Sequence, residues 1–204
     1  MSDFIQLASP ADRPKAPRAD ELQLRFSDAA IAELDEIKSH YPDLKSCILP
    51  ALWIAQREYG GFLTGEAIAE AAHRLNRAYA EVEGVATFYT MYNVSHKPGR
   101  HKLELCTCLA CHVCGTYRIR DLIKGKLGIG HGETTADGIF TLEEVECLNA
   151  CDRAPVMMVG SDYYGPLDEA GLDALIAKLR ATPESTVVQM ADTIVKMHLP
   201  AVAK

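Results

Sequence analysis

The chain has 204 residues, 48% apolar and 24% charged, enough for one or two domains with a sizeable core. Its net charge of -7, with no basic stripe, excludes nucleic acid as an expected partner. No apolar run approaches the roughly 20 residues of a membrane span, and an N-terminus carrying Asp3, Asp12, Asp20 and Glu21 fits neither a signal nor a transit peptide. The chain is therefore expected to stay in a reducing cytosol without entering the membrane, its cysteines serving as ligands or free thiols.

Residues 1–20, with Pro10, Pro14 and Pro17, read as a flexible arm. Ser27 caps a helix through residue 39, with Ile31, Leu34, Ile37 and Lys38 along one face. A second helix spans 45–59; Pro50 in its early part calls for a late start or a kink, and Gly60-Gly61 ends it. Thr64 caps a third helix through residue 75, and short helical turns over 76–92 complete a helical domain, 21–95. Phe88, Tyr89 and Tyr92 are expected in the core that joins this domain to the second one. From His101 the order is strand, helix, strand, strand, helix. The strands lie near 102–106, 139–146 and 155–160, the last extendable to Tyr163; the helices lie near 113–126, with Tyr117, Leu122 and Ile123 on the apolar side, and near 168–181. They form the second domain, 96–182. Residues 183–204 are a C-terminal extension, apolar enough to pack.

Cys106 and Cys111 spell C-x4-C and Cys147 and Cys151 spell C-x3-C, each pair where a strand gives way to a loop. Such loops are held by the sheet, and their backbone N–H groups stay free to hydrogen-bond cluster sulfur and offset thiolate charge, which suits an iron-sulfur centre. Cys106, Cys111 and Cys114 alone give the plant-type C-x4-C-x2-C spacing with Cys147 as a distant fourth ligand, but that set leaves Cys151 unused. Cys108, Cys111 and Cys114 start the bacterial run, which fails at Arg118. Zinc would more often use tight C-x2-C knuckles. His112 beside Cys111 has no second histidine near Cys147 or Cys151, as a Rieske centre needs. Cys47 reads as a buried small hydrophobe, Cys108 and Cys114 as bystanders or spare thiols, and the histidines other than His112 as scattered and solvated. Gly125, Gly128, Gly130 and Gly132 spell neither G-x-G-x-x-G nor a P-loop and are expected to form a helix C-cap and loop.

The runs Leu49-Pro50-Ala51-Leu52, Ala55-Gln56-Arg57-Glu58-Tyr59-Gly60, Val82-Glu83-Gly84-Val85-Ala86-Thr87-Phe88-Tyr89-Thr90-Met91-Tyr92 and Cys151-Asp152-Arg153-Ala154-Pro155, with the two cysteine pairs, resemble a known family. It is the thioredoxin-like [2Fe-2S] subunit, often called the E subunit, of bacterial NADH:quinone oxidoreductase (respiratory complex I), with homologues in NAD-linked hydrogenases and formate dehydrogenases. The resemblance covers roughly residues 24–179. It implies an α+β fold, an N-terminal helical bundle followed by a thioredoxin-like α/β domain carrying the [2Fe-2S] cluster, with Cys106, Cys111, Cys147 and Cys151 as ligands. It implies a one-electron carrier that does not oxidise NADH alone, because FMN and NADH sit on a partner flavoprotein subunit. Further peripheral-arm subunits and a place on the cytoplasmic face of the inner membrane, through the complex, come with it. The docking surface is expected around Leu52, Trp53, Phe62 and Tyr89, with burial in the subunit's own core as the competing reading for each. Asn149 stands where the family usually has glycine, and it tolerates a left-handed backbone. A cis Ala154–Pro155 peptide is expected by the same likeness.

Overall fold

The computed structural model describes Pro17 and residues 22–199; the expected arm lies almost wholly outside the described residues. Helix α1 (Asp28–Ser39) starts where the Ser27 hydroxyl accepts from the Ala30 amide, and it buries Ala30, Leu34 and Ile37, spaced for one face. A 3-10 turn (Leu44–Cys47) capped by Asp43 leads into α2 (Ile48–Glu58), so Pro50 falls in the first turn, where its missing N–H costs nothing. Helix α2 is buried almost all round, because α1, α3 (Gly65–Leu75), α4 (Tyr79–Phe88) and α8 (Thr186–Met197) pack against it.

One expectation changes in this bundle and another gains a definite form. Residues 79–88 form one ten-residue helix where short turns were expected, since left-handed Asn76 ends α3 and frees the chain to restart. The C-terminal segment supplies α8, whose Ala191 and Val195 join the bundle core.

The second half builds a four-stranded sheet in the order β2-β1-β3-β4, from β1 (His101–Cys106), β2 (Phe140–Val145), β3 (Met157–Val159) and β4 (Asp162–Tyr164). Strands β1 and β2 are parallel, with Cys106 opposite Val145, whereas β3 runs antiparallel to β1 and to β4. The hairpin is therefore β3–β4, and Tyr163 belongs to a fourth strand instead of extending the third. Strands β2 and β3, consecutive in the chain, lie on opposite sides of β1. A helical crossover returns the chain parallel to β1 on one edge and leaves the other edge for the hairpin.

One sheet face, with Leu103, Leu105, Phe140 and Leu142, packs on Ile119 and Ile123 of α6 (Thr116–Leu127) and Leu172 and Leu175 of α7 (Glu169–Ala181). The helix expected over 113–126 is broken: a five-residue α5 (Leu109–Val113) precedes α6, and Gly115 at φ +94 makes the joint. Tyr117, expected on the buried side, is exposed as a result. His101, expected to be solvated, is fully buried, with Nδ1 3.3 Å from the Thr186 hydroxyl and Nε2 accepting from Arg100. Leu52 and Trp53 are core residues, the competing reading for these two, whereas Phe88 and Tyr89 are exposed, so the core assignment fails at both and the docking-surface expectation keeps Tyr89 but not Leu52 or Trp53. Tyr92 is buried as expected, its hydroxyl donating to the Leu49 carbonyl.

Candidate metal-cluster site

Both cysteine pairs hang from the C-terminal ends of the parallel strands. The Cys106 amide donates to the Val156 carbonyl and the Thr107 amide to the Val145 carbonyl, so the β1 end is pinned from both sides. The buried Thr116 hydroxyl donates to the Cys106 carbonyl at 2.7 Å, tying that end to the first turn of α6. Sequence patterns carry no signal for this threonine, because only the fold places it under the cysteine. Helix α5 then carries Cys111 inward, where it packs with Cys106 and Val156; Cys108, Leu148, Ala150 and Ala154 close the small apolar group around them.

The second pair is more open. Cys147 lies two residues beyond β2, and its sulfur accepts from the Asn149 amide at 3.3 Å. Asn149 takes φ +54, the left-handed turn that bends the amide back toward that sulfur. Cys151 begins the 3-10 turn Cys151–Arg153, and the cis Ala154–Pro155 peptide leads on to Val156 and β3. Cys147 and Cys151 are exposed.

Burial pushes the Cys111 thiol up to about 11; contact with Val156 backbone opposes the shift, and the Cys106 and Cys151 sulfurs add to it. Ala150 and Ala154, on either side of Cys151, pack against the inner pair and bring the second loop beside it. All seven cysteines are free thiols. Cys114 follows α5, exposed and outside the Cys106–Cys111 group. Cys47 is fully buried in the helical core.

Among the described residues no three Cys, His, Asp or Glu side chains close on a single point. A binuclear cluster asks for two thiolates on each of two irons. An inner pair, Cys106 and Cys111, and an outer pair, Cys147 and Cys151, on neighbouring loops offer that donor set. Beside the outer pair a cleft of about 450 Å³ separates the residues after α4 from the sheet, lined among others by Tyr89, His96, Lys102, Glu104, Glu143 and Cys147. Lys102 pairs with Glu104 at 3.3 Å, and Glu143 lies between His96 and His131 at 3.5 and 3.4 Å.

Comparison with known proteins agrees with this geometry. Residues 34–180 match the family of thioredoxin-like [2Fe-2S] ferredoxins. The chain is similar to the second NADH-quinone oxidoreductase E subunit of Rhizobium meliloti (strain 1021), 45% identical over 159 residues that cover 78% of this chain and 94% of the relative. The NADH-quinone oxidoreductase E subunit of Rickettsia prowazekii (strain Madrid E) is 44% identical over 141 residues, covering 69% and 79%. Among solved structures, an NAD+-reducing [NiFe]-hydrogenase in the air-oxidised state matches 65% of this chain with a TM-score of 0.56 and 25% identity. This chain spans 23% of that hydrogenase chain.

Proposed function

This chain belongs to the thioredoxin-like [2Fe-2S] ferredoxin family, and on that premise we propose that it is an electron-transfer subunit of an NADH-quinone oxidoreductase, with one [2Fe-2S] cluster held by Cys106, Cys111, Cys147 and Cys151. The carrying observation is the packing of Cys106 on Cys111 at the end of β1, with Leu148, Ala150 and Ala154 of the loop that bears Cys147 and Cys151 packed against them. When bound, a [2Fe-2S] cluster supplies a one-electron site. NADH releases a two-electron hydride, so a flavin on a partner subunit must stand between. The residues of this chain then have three tasks. The four thiolates would hold the iron, and burial raises the Cys111 thiol that must lose its proton to do so. The Asn149 amide donates to the Cys147 sulfur and steadies its negative charge. Thr116 and the strand ladder hold the inner pair in place.

In functional terms, residues 96–182 are the cluster-bearing unit, and the helical bundle of 21–95, completed by α8, is its support. We place the whole at the cytoplasmic face of the membrane through its complex; no described helix is long and apolar enough to cross one. Serine replacement of each cysteine, followed by iron and sulfide assay, tests the ligand set. Loss of cluster is expected for Cys106, Cys111, Cys147 and Cys151 and retention for Cys47, Cys108 and Cys114. Cluster loss in Cys114→Ser with retention in Cys151→Ser would reverse the assignment toward the plant-type spacing. The likeness to the hydrogenase favours a second reading, the equivalent subunit of an NAD-linked hydrogenase. Isolation of the native complex decides between them by whether NADH oxidation is coupled to quinone or to hydrogen.

A further inference from the structure

We propose that Cys108 and Cys111 are a dithiol pair that a small disulfide of the glutathione class oxidises to a Cys108–Cys111 disulfide when the cluster is absent, and that this bond competes with iron for Cys111. The competition rests on the ligand set proposed above, whereas the disulfide itself rests on geometry alone. Cys108-Leu109-Ala110-Cys111 spells C-x2-C, and the structure winds that spacing into one helical turn. Cys108 is the N-cap of α5, at φ -61 and ψ 162, and its carbonyl accepts from the His112 amide at 2.8 Å to close the turn. Residues three apart in such a turn have Cα atoms about 5 Å apart, inside the roughly 4.4–6.8 Å that a disulfide requires. The side chain of an N-cap residue reaches over the third residue of its helix, which here is Cys111. The Cys108 sulfur makes no capping hydrogen bond, so nothing in the cap holds it away from that residue.

Packing and exposure select this pair from the other thiols. Cys108 packs against the group of Cys106, Cys111 and Val156. Cys114 follows Cys111 at the same spacing, yet it is exposed and outside that group. The buried Cys106 thiol is engaged with the Glu146 carbonyl at 3.8 Å, just past the end of β2. Cys111 is only 1% exposed, so a reagent in solution does not reach it directly; the half-buried Cys108 is the point of entry. Oxidation then proceeds by thiol–disulfide exchange in two steps. The Cys108 sulfur attacks the small disulfide, breaks its S–S bond and forms a mixed disulfide, releasing one small thiol. The Cys111 sulfur next attacks the Cys108 sulfur, forms the Cys108–Cys111 bond and releases the second small thiol. The two cysteine protons end on the two released thiols, and the two electrons given up by the cysteines reduce the small disulfide. With iron bonded to Cys111 the second step is blocked. With the disulfide closed, Cys111 has no thiolate to offer iron until a dithiol reductant reopens the bond.

The test treats the full chain, with and without its cluster, with oxidised glutathione, alkylates the thiols that remain, and fragments the tryptic peptide Leu103–Arg118, which holds Cys106, Cys108, Cys111 and Cys114, in a mass spectrometer. The cluster-free chain is expected to show Cys108 joined to Cys111 with Cys106 and Cys114 alkylated, and the loaded chain to show no such bond. After removal of glutathione, the oxidised chain is offered a [2Fe-2S] cluster by a loaded scaffold protein without reductant. It is expected to take up little of it by visible absorbance, and prior treatment with dithiothreitol is expected to restore full loading. Cys108→Ser, which keeps a preferred N-cap residue, is expected to load as well after oxidised glutathione as before it. A disulfide between any other two cysteines, or Cys108 left as the glutathione mixed disulfide with Cys111 alkylated, would overturn the pair and leave the ligand set standing. A Cys108→Ser chain whose loading oxidised glutathione still blocks would overturn it as well. A chain with the Cys108–Cys111 bond that still takes up a full cluster would overturn the competition, and Cys111 as a ligand with it.

Discussion

At the scale of single residues, burial separates side chains of one type into different roles. Cys47, Cys106 and Cys111 are buried, Cys108 is half-buried, and Cys114, Cys147 and Cys151 are exposed. An alkylating reagent on the cluster-free protein is therefore expected to label Cys114, Cys147 and Cys151 first and Cys47, Cys106 and Cys111 last, and mass spectrometry of timed samples reads the order. With the cluster in place, Cys114 should remain reactive while Cys147 and Cys151 become protected. Equal protection of Cys114 would count against the proposed ligand set. Glu70 shows the other use of burial. Its fully buried carboxylate accepts from the Arg25 and Phe26 amides, the Tyr59 hydroxyl and the Arg74 guanidinium, which tie the start of the chain's first helix to α3. Burial alone would raise its pKa, yet these four donors together hold it below the usual carboxylate range. A lowered folded-state pKa means that the stabilisation is present above the unfolded carboxylate pKa and is lost as pH falls through the folded one. Glu70→Ala is expected to cost about 3 kcal/mol by denaturant unfolding at neutral pH and to remove part of the loss of stability on acidification. An acid sensitivity unchanged by Glu70→Ala would show that Glu70 is not its source.

At the scale of elements, the cluster loops depend on backbone packing that no side chain reports. Gly165, between β4 and α7, lies so close to the Arg153 carbonyl that a Cβ would clash with it and crowd the Pro155 carbonyl too. Backbone atoms cannot swing aside as the tip of a side chain can. Gly165→Ala is thus expected to displace the turn that carries Cys151, to cost about 1–3 kcal/mol and to lower the iron content of the purified protein. Gly84→Ala, where a Cβ would meet nothing, is the matched control; equal iron content in the two variants would contradict the packing argument. The bundle is held by a comparable device. Arg57 on α2 donates to Glu33 on α1 and to Asp192 on α8 at 3.0 Å, so a single guanidinium joins three helices distant in sequence.

At the scale of the whole molecule, the chain has thiols for a one-electron centre and no fingerprint for a flavin or nicotinamide. The cluster-loaded chain alone is expected not to oxidise NADH, and added flavoprotein is expected to let its iron be reduced. Anaerobic electron paramagnetic resonance with NADH, with and without that partner, reads both. A reduced-cluster signal from the chain alone would mean that it has a hydride acceptor of its own. The two halves of the molecule make sense together: α8 closes the bundle and crosses β1, so the sheet that presents the thiols is braced from behind by helices that take no part in the chemistry.

Local chemistry was legible in the sequence wherever one residue determines a local outcome. Ser27 and Thr64 cap the helices they were expected to cap, Gly60 and Gly61 follow the end of α2, and Asn149 adopts the left-handed turn between the two cysteines. Each of these depends on hydrogen bonds or backbone sterics within a few positions. The paired cysteines at strand ends and the matching runs likewise carried the family. Pairing and exposure were decided only in the tertiary structure. Residues 139–146 and 155–160 were both correctly placed as strands, but their order around β1 depends on the long-range crossover, which no local pattern reports. Leu52, Trp53, Phe88 and Tyr89 are all apolar and all in helices or at their ends, and nothing local distinguishes core from surface among them. The difference comes from which neighbours the fold brings over each side chain: α2 is surrounded by four helices, whereas the end of α4 and the outer side of α5 are left open beside the thiols.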